Sequence, residues 1–186
     1  FTDVVSFDEK TGHSFFGKTL TTPEHMVEGI LNGVQKANTA IEESRLFLHG
    51  TTVAINTVLE RSGARCALLT TKGFRDVYEI GLINRPDAYN LFFEKHQPLI
   101  QRSHRLEISE RINAQGEVLI PLDLNELTDV ARQLREMKVE SVAIMFLHSY
   151  CNPAHELAAK NHIEAQCPGI FVTASHELSK EYREFE

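Results

Sequence analysis

A short polar stretch near residue 50 carries the side chains best suited to chemistry. It consists of His49, Gly50, Thr51 and Thr52. Glycine lets a ligand approach the backbone, the hydroxyls can donate to phosphate or carbonyl oxygens, and histidine can shuttle a proton. If the apolar run 45–48 is a strand and 53–61 a helix, the stretch lies where open α/β sheets bind anions. Alternatively, one threonine only caps the helix and His49 only ends the strand.

A second polar stretch runs from His148 to Asn152 and is followed by His155 and Glu156. Two histidines, a thiol and a carboxylate within nine positions suggest a metal site. However, the spacing matches no standard zinc pattern, and a loop separates the histidines, so they do not share one helical face. We therefore interpret this stretch as structural, with Asn152 capping a helix that opens at Pro153.

Three further patterns carry weaker signals. The run Thr70 to Gly73 resembles a phosphate loop only superficially, because the GxxxxGK[ST] pattern is absent. Asn84 and Arg85 are suited to clamping an anion, but they are equally typical of a turn. Thr2 and Asp3, at the tip of a strand, are suited to hydrated magnesium or are simply a solvated strand end.

The elements that must position these residues follow from hydrophobic periodicity. The N-terminal part is predicted to contain a hairpin (4–7 and 14–18), a helix (23–38, with Thr22 and Pro23 at its start), a strand (45–48), a helix (53–61) and a strand (66–70). Alternation of strands and helices implies parallel strands with crossover helices. We expect residues 1–76 to form one portion of a lobe, with any lobe boundary near 77–122.

The remainder divides into an irregular segment and a second regular one. Residues 77–122 are predicted to be an irregular β excursion with strands at 106–108 and 118–120. Residues 123–186 are predicted to form an α/β unit, in which Asp123 caps a helix and Glu126 nearly completes a capping box. A strand over 141–147, a helix from 152 and a strand over 170–172 complete that unit.

Composition excludes several classes of protein. Of the 186 residues, 42% are hydrophobic and 24% charged, as in ordinary globular proteins, and no apolar run approaches a bilayer span. The net charge of −7 without a basic block argues against nucleic acid or a membrane as partner. Three scattered cysteines indicate reduced thiols and a cytoplasmic setting. Because Phe1 is not an initiator methionine, we expect a fragment of a longer chain.

Several motifs occur in an order that resembles the hydantoinase A / 5-oxoprolinase family, whose relatives include ATP-dependent ketone carboxylases. The likeness covers essentially the whole chain. In chain order the motifs are Phe1 to Asp3, His49 to Asn56, Ala67 to Asp76, Asn84 to Pro86, Glu110 to Ile112, Leu147 to Tyr150, Asn152 to Glu156, Ser175 to Leu178 and Tyr182 to Glu184. Each motif alone is weak, whereas the ordered set is specific.

The resemblance implies the first lobe of an actin/hexokinase-like ATPase fold with a mixed sheet, plus a further small α/β unit. It implies a hydrolase that uses ATP and magnesium to activate the carbonyl of a cyclic amide before water opens the ring. It also implies a second, hydantoinase B-like subunit or domain as partner.

Carried over to this sequence, the resemblance places four residues at the substrate or phosphate: His49, Thr51, Thr52 and Asn56. Asn84 and Arg85 would line the same cleft. Thr2 and Asp3 would lie near Mg-ATP, and no other metal ligand is implied. The family's opening motif has an aspartate and two glycines that would precede Phe1, so we expect the fragment alone to be inactive.

Two alternatives stay open. An ATP-dependent ketone carboxylase subunit would use the same phosphorylation step on an enolate, and bicarbonate dependence would distinguish it. A non-catalytic docking module for a partner subunit is the third hypothesis.

Overall fold

The computed structural model describes residues 1–22, 24–80, 89–94 and 97–182. The chain forms two compact units, Phe1–Thr52 and Val53–Glu186. Among the described residues, none of the helices combines the length and apolar character that crossing a bilayer requires.

The first unit is a hairpin packed against one helix. Strands β1 (Thr2–Phe7) and β2 (Ser14–Thr19) pair antiparallel, and helix α1 (Met26–Lys36) lies against them. The contact is close because Gly17 faces the carbonyl oxygen of Gly33, leaving room for no side chain at position 17. The predicted hairpin and helix are confirmed, although α1 begins later than the predicted residue 23.

The predicted strand over 45–48 is wrong. These residues are irregular, and the side chains of Leu46, Phe47 and Leu48 are 72%, 47% and 82% exposed. Apolar β-favouring side chains form a strand only where a neighbouring strand pairs with the backbone. The described part of the chain supplies no such neighbour for this run.

The second unit is built on a four-stranded parallel sheet. Its helices are α2 (Val53–Glu60), α3 (Val77–Ile80), α4 (Leu124–Glu136), α5 (Ala154–Gln166) and α6 (Ser175–Leu178). Its strands are β3 (Cys66–Thr71), β4 (Arg105–Ile108), β5 (Arg111–Ile112), β6 (Val118–Ile120), β7 (Ser141–Met145) and β8 (Phe171–Ala174). The strand order in the sheet is β4-β3-β7-β8.

The register of the sheet sets its core. Leu69 in β3 pairs with Leu106 in β4 and with Ile144 in β7, and Ile144 pairs in turn with Ala174 in β8. Apolar side chains from α4 and α5 pack into the same core, among them Leu127, Leu134 and Ile163. Because the four strands run parallel, they all end at one edge of the sheet, and the residues that follow them are brought together there.

The α/β class is confirmed, but the predicted mixed sheet takes a different form. The strand predicted over 106–108 is β4, which joins the main sheet parallel to β3. The strand predicted over 118–120 is β6, which pairs with β5 in a small antiparallel ribbon. Within the described ranges, antiparallel pairing is thus confined to two separate ribbons.

The predicted cap of α4 is confirmed in part. Asp123 Oδ1 accepts hydrogen bonds from the N–H groups of Asn125 (2.9 Å) and Glu126 (3.1 Å). The Glu126 carboxylate does not close a capping box, because its Oε2 accepts from the N–H of Ser109 at 2.7 Å. Asp123 N–H donates to the Ser109 carbonyl at 3.2 Å. This exchange ties the start of α4 to the segment after β4.

Candidate functional site

The residues expected near Mg-ATP open strand β1. Asp3 lies across the ladder from Lys18, and its Oδ1 is 3.1 Å from the Lys18 ammonium. Both side chains are well exposed, and Lys18 Nζ also lies 5.1 Å from the centre of the Phe1 ring. Thr2 is half-buried opposite Thr19. This strand end therefore offers an accessible carboxylate beside an accessible ammonium.

The stretch 49–52 is irregular and exposed, and it leads directly into α2. His49, Thr51 and Thr52 belong to it, and Asn56 lies exposed in the first turn of the helix. The spacing had predicted that this stretch lies at the end of a strand. It does not, because residues 45–48 form no strand. It does precede the N-terminus of a helix, and the dipole of a helix favours anions at that end.

The packing of the described residues does not explain Gly50 in this stretch. A methyl group at position 50 would meet no atom of the described residues within 4 Å, and the φ angle lies outside the left-handed region. By contrast, Gly17 is required by contact with Gly33 and Ala37. A glycine that the described residues do not require fits a position that a ligand approaches closely.

Two of the predicted site residues, Asn84 and Arg85, lie outside the described residues, as do Arg183 and Glu184 of the last family motif.

The loop after β3 is described, and its N–H groups already bind a carboxylate. Gly73 N–H donates to Glu107 Oε1 at 2.7 Å, and Arg75 N–H donates to the same oxygen at 3.4 Å. Because Glu107 occupies this loop, residues 70–73 do not form a phosphate site here.

A buried polar cluster lies at the carboxyl edge of the parallel sheet, the edge at which all four strands end. One group of its hydrogen bonds converges on Glu156. The Glu156 carboxylate is fully buried. Its Oε1 accepts from the N–H of Phe146 (2.9 Å) and the hydroxyl of Ser175 (2.7 Å). Its Oε2 accepts from the N–H of His176 (3.1 Å) and is 2.7 Å from Nδ1 of the same histidine. Ser175 Oγ also lies 3.0 Å from Ser149 Oγ.

Glu110 is the second centre of this cluster. Its side chain is also fully buried, and Oε2 lies 2.8 Å from Nδ1 of His155. Oε1 accepts from the hydroxyl of Thr71, whose oxygen accepts in turn from Leu147 N–H at 3.1 Å. The neighbours His155 and Glu156 thus bind different partners, which follow different strands.

The cluster gathers motif residues that sequence reasoning did not connect. Thr71 ends β3, Glu110 follows β4, and Ser175 and His176 follow β8. The available signal was that polar residues follow each buried strand, since the ends of parallel strands meet at one edge. Within the described ranges, no group of three or more histidine, cysteine, aspartate or glutamate side chains is arranged to hold a metal ion.

Exposed ion pairs support the elements around this edge. The hydrogen bond from Lys160 lowers the pKa of Glu177, and Glu177 raises the pKa of Lys160; Nζ is 2.7 Å from both carboxylate oxygens. This pair ties α5 to α6. In a second ion pair, the hydrogen bonds from Arg102 lower the pKa of Asp76.

Residues 1–167 match the family model of the hydantoinase/oxoprolinase N-terminal region. The chain belongs to this family. Three relatives align over the whole chain: an uncharacterised protein of Methanocaldococcus jannaschii (41% identical), the caprolactamase subunit alpha of Pseudomonas jessenii (32%) and the acetophenone carboxylase gamma subunit of Aromatoleum aromaticum (31%). The chain spans 28% of the length of each.

Two solved structures share its fold. The ATP-dependent caprolactamase of P. jessenii superposes with a TM-score of 0.81 and 31% identity, over 100% of this chain and 28% of its own. The nucleotide-free structure of acetone carboxylase, from a study of ATP-dependent acetone carboxylation, gives 0.81 and 25% identity, over 98% of this chain and 28% of its own. These likenesses agree with the predicted lobe of an actin/hexokinase-like ATPase.

Proposed function

We propose that this chain is the N-terminal part of an ATP-dependent enzyme that hydrolyses a cyclic amide. The observation that carries the proposal is the likeness to the ATP-dependent caprolactamase, which extends over all of this chain at 31% identity. The match to the hydantoinase/oxoprolinase family supports the same class of substrate.

The described residues fit ATP and magnesium as ligands. Gly50 leaves open space at the position of a Cβ, next to the exposed hydroxyl-bearing residues Thr51 and Thr52. Backbone N–H groups and hydroxyls of this kind suit phosphate oxygens. Asp3 supplies a carboxylate, which magnesium prefers, and Lys18 supplies a neighbouring cation for a phosphate.

When bound, ATP supplies a phosphoryl group to the amide carbonyl oxygen, which makes the carbonyl carbon more open to attack by water. In our proposal, Thr51 and Thr52 donate hydrogen bonds to phosphoryl oxygens and hold them in place. Asn56 orients the amide, and His49 accepts a proton from the attacking water. Asn84 and Arg85 remain proposed anion-binding residues, on the family resemblance alone.

We further propose that the active enzyme includes a second, hydantoinase B-like subunit or domain. The support is that the relatives from P. jessenii and A. aromaticum are named as subunits.

The test is ATP hydrolysis by the full-length protein with its partner subunit, in the presence of caprolactam, hydantoin or 5-oxoproline. We expect one of these substrates to stimulate turnover, and Thr51→Ala with Thr52→Ala to abolish the stimulation. Gly50→Ala is the sharper variant, because it should leave the unfolding temperature unchanged while reducing turnover. Turnover that survives all three substitutions would remove this stretch from the site.

A ketone carboxylase subunit is the second candidate function. It is favoured by the likeness to acetone carboxylase, with a TM-score of 0.81, and by the acetophenone carboxylase relative. ATP turnover that requires acetone or acetophenone together with bicarbonate, and no cyclic amide, would establish it in place of the first. No turnover with any of these substrates would leave a non-catalytic docking role.

A further inference from the structure

Two arginine side chains differ from the others in how their charge is used. Every other arginine in the described ranges donates at least one hydrogen bond through its guanidinium group. The guanidinium groups of Arg75 and Arg111 donate none to the described residues. A guanidinium carries five N–H donors and is always charged, so folded proteins usually give it partners. These two groups therefore keep their donors for a partner beyond the described residues.

The fold brings the two arginines to one surface, although they are far apart in the sequence. Gly73 N–H donates to Glu107 Oε1 at 2.7 Å, which holds the loop after β3 against β4. The central carbon of the Arg111 guanidinium lies 4.8 Å from the centre of the Phe74 ring, and Phe74 directly precedes Arg75. Because β3 and β4 are neighbouring parallel strands, the segments that follow them lie side by side.

Both guanidinium groups are held in place while their donors stay open. Arg75 Nε lies 3.8 Å from Glu107 Oε2, too far for a hydrogen bond, and it is a buried nitrogen with no hydrogen-bond partner. The rest of the Arg75 guanidinium reaches the solvent, since the side chain is 35% exposed. Arg111 is half-buried over the Phe74 ring, a favourable cation–π contact. Side chains that are already ordered lose less entropy when they bind.

An exposed apolar strand adjoins Arg111. Arg111 in β5 lies directly opposite Ile120 in β6, so the two side chains project from the same face of the ribbon. Ile120, Leu119 and Val118 are 50%, 60% and 48% exposed. A small anion would use the guanidinium groups but not this strand, whereas protein interfaces combine apolar area with arginine and aromatic side chains. We call Phe74, Arg75, Arg111 and Val118–Ile120 the arginine surface.

The partner that fits the arginine surface is acidic. Carboxylates match the planar guanidinium fork, because both oxygens can accept hydrogen bonds at once. The whole chain carries a net charge of −7, so an acidic partner is attracted at such a surface and repelled elsewhere. The relatives from P. jessenii and A. aromaticum are named as subunits, so the family includes chains that work in assemblies.

We propose that the arginine surface is the docking site of the second, hydantoinase B-like subunit. Aspartate or glutamate side chains of that subunit bind Arg75 and Arg111, and its apolar side chains cover Val118–Ile120. This inference rests on the proposed second subunit, to which it adds a surface and a binding chemistry. The arginine surface lies wholly within the second unit of the fold.

The first test measures the Kd of the full-length protein for the partner subunit by titration calorimetry. Arg75→Gln and Arg111→Gln should each raise Kd at least about 10-fold, as expected for residues that carry interface affinity. Unfolding temperatures should stay close to that of the wild type, because neither guanidinium donates a hydrogen bond within the described fold. Arg132→Gln is the matched control. It removes the same charge from an exposed arginine that already pairs with Asp129 at 2.8 Å, so Kd should not change.

The second test identifies the group that binds each arginine. Arg75→Lys and Arg111→Lys keep the positive charge and supply a primary amine. A water-soluble carbodiimide activates a nearby carboxylate, and the amine then displaces the activating group as a urea to form an amide. Mass spectrometry should find each new lysine joined to an aspartate or glutamate of the partner subunit.

The outcomes separate this inference from the proposed function. If the wild type binds the partner subunit and the glutamine variants bind it equally well, the inference is overturned and the proposed second subunit stands. If the new lysines cross-link only within their own chain, the occupant is intramolecular and the inference is overturned. The same holds if the variants lose calorimetric binding of inorganic phosphate but keep the subunit, since the site then serves a small anion. If the wild type binds no partner subunit, that proposal fails and the inference fails with it, whereas ATP-dependent turnover is judged by its own assay.

Discussion

Replacing Glu156 by alanine tests whether the buried cluster holds the carboxyl edge together. The carboxylate accepts four hydrogen bonds, two of them from the backbone N–H groups of Phe146 and His176. After the substitution, these two N–H groups lose their partner. The Ser175 hydroxyl can still bond to Ser149, whose oxygen is 3.0 Å away, and the partly exposed ring of His176 can reach water.

The expected loss of stability follows from the two backbone donors. A buried donor without a partner costs about 1–3 kcal/mol, so the pair costs roughly 2–6 kcal/mol, with a central value of about 4 kcal/mol. For a protein of this size, that loss corresponds to a decrease in unfolding temperature of about 8–16 °C.

The assay is urea unfolding followed by circular dichroism, with Glu164→Ala as the matched control. Glu164 lies on the same helix, α5, but its side chain is exposed, so its removal should cost less than about 0.5 kcal/mol. If Glu156→Ala cost no more than Glu164→Ala, the buried hydrogen bonds would not stabilise this edge, and our account of the cluster would be refuted.

Three further predictions concern other parts of the fold. Gly17→Ala should destabilise the first unit by about 3 kcal/mol or more, because the new Cβ would lie 2.2 Å from the Gly33 carbonyl oxygen; thermal unfolding measures this, and a neutral result would contradict the close packing. Lys160→Met should lower the unfolding temperature near neutral pH but not in acid. The reason is that Lys160 lowers the pKa of Glu177 below 4.5, so the pair stabilises the fold above that value, and this stabilisation is lost as the pH falls through the folded-state pKa. The unfolding temperatures of the wild type and the variant, measured from about pH 3 to 7, should therefore converge at the acid end. Curves that stay parallel would contradict the pairing. Asp123→Ala should cost about 1 kcal/mol in urea unfolding through loss of the α4 cap, whereas Asp123→Asn should cost much less.

Sequence reasoning predicted the elements whose causes are local. Helix α4 was predicted because Asp123 caps it and apolar residues recur at helical spacing, and the structure has both features. The run 45–48 failed because a strand depends on a partner, which no local pattern supplies. For the same reason, nothing in residues 106–108 distinguished a strand of the main sheet from one in a small ribbon.

The candidate site was predictable in its motifs but not in its connections. The family motifs include Glu110, His155, Glu156 and His176, yet Glu110 and His155 are 45 residues apart and meet only because the fold brings the segment after β4 beside the start of α5. By contrast, the stretch 49–52 was selected from its residue types alone. It remains in the proposed site because no atom of the described residues fills the space beside Gly50. Residue chemistry thus indicated which residues matter, whereas topology determined which of them touch.

The strand order also has a consequence for how the second unit folds. Strands β7 and β8, with α5 between them, form a contiguous unit over residues 141–174, whereas β3 pairs with β7 across a separation of 75 residues. Because closing a longer loop costs more entropy, contacts within the contiguous unit should form before β3 docks. Truncation of Val172 should therefore slow refolding, while truncation of Leu69 should mainly speed unfolding, and stopped-flow kinetics can separate the two. On this account, the edge that carries the buried polar cluster is completed only in the last stage of folding, when Thr71 arrives beside Leu147.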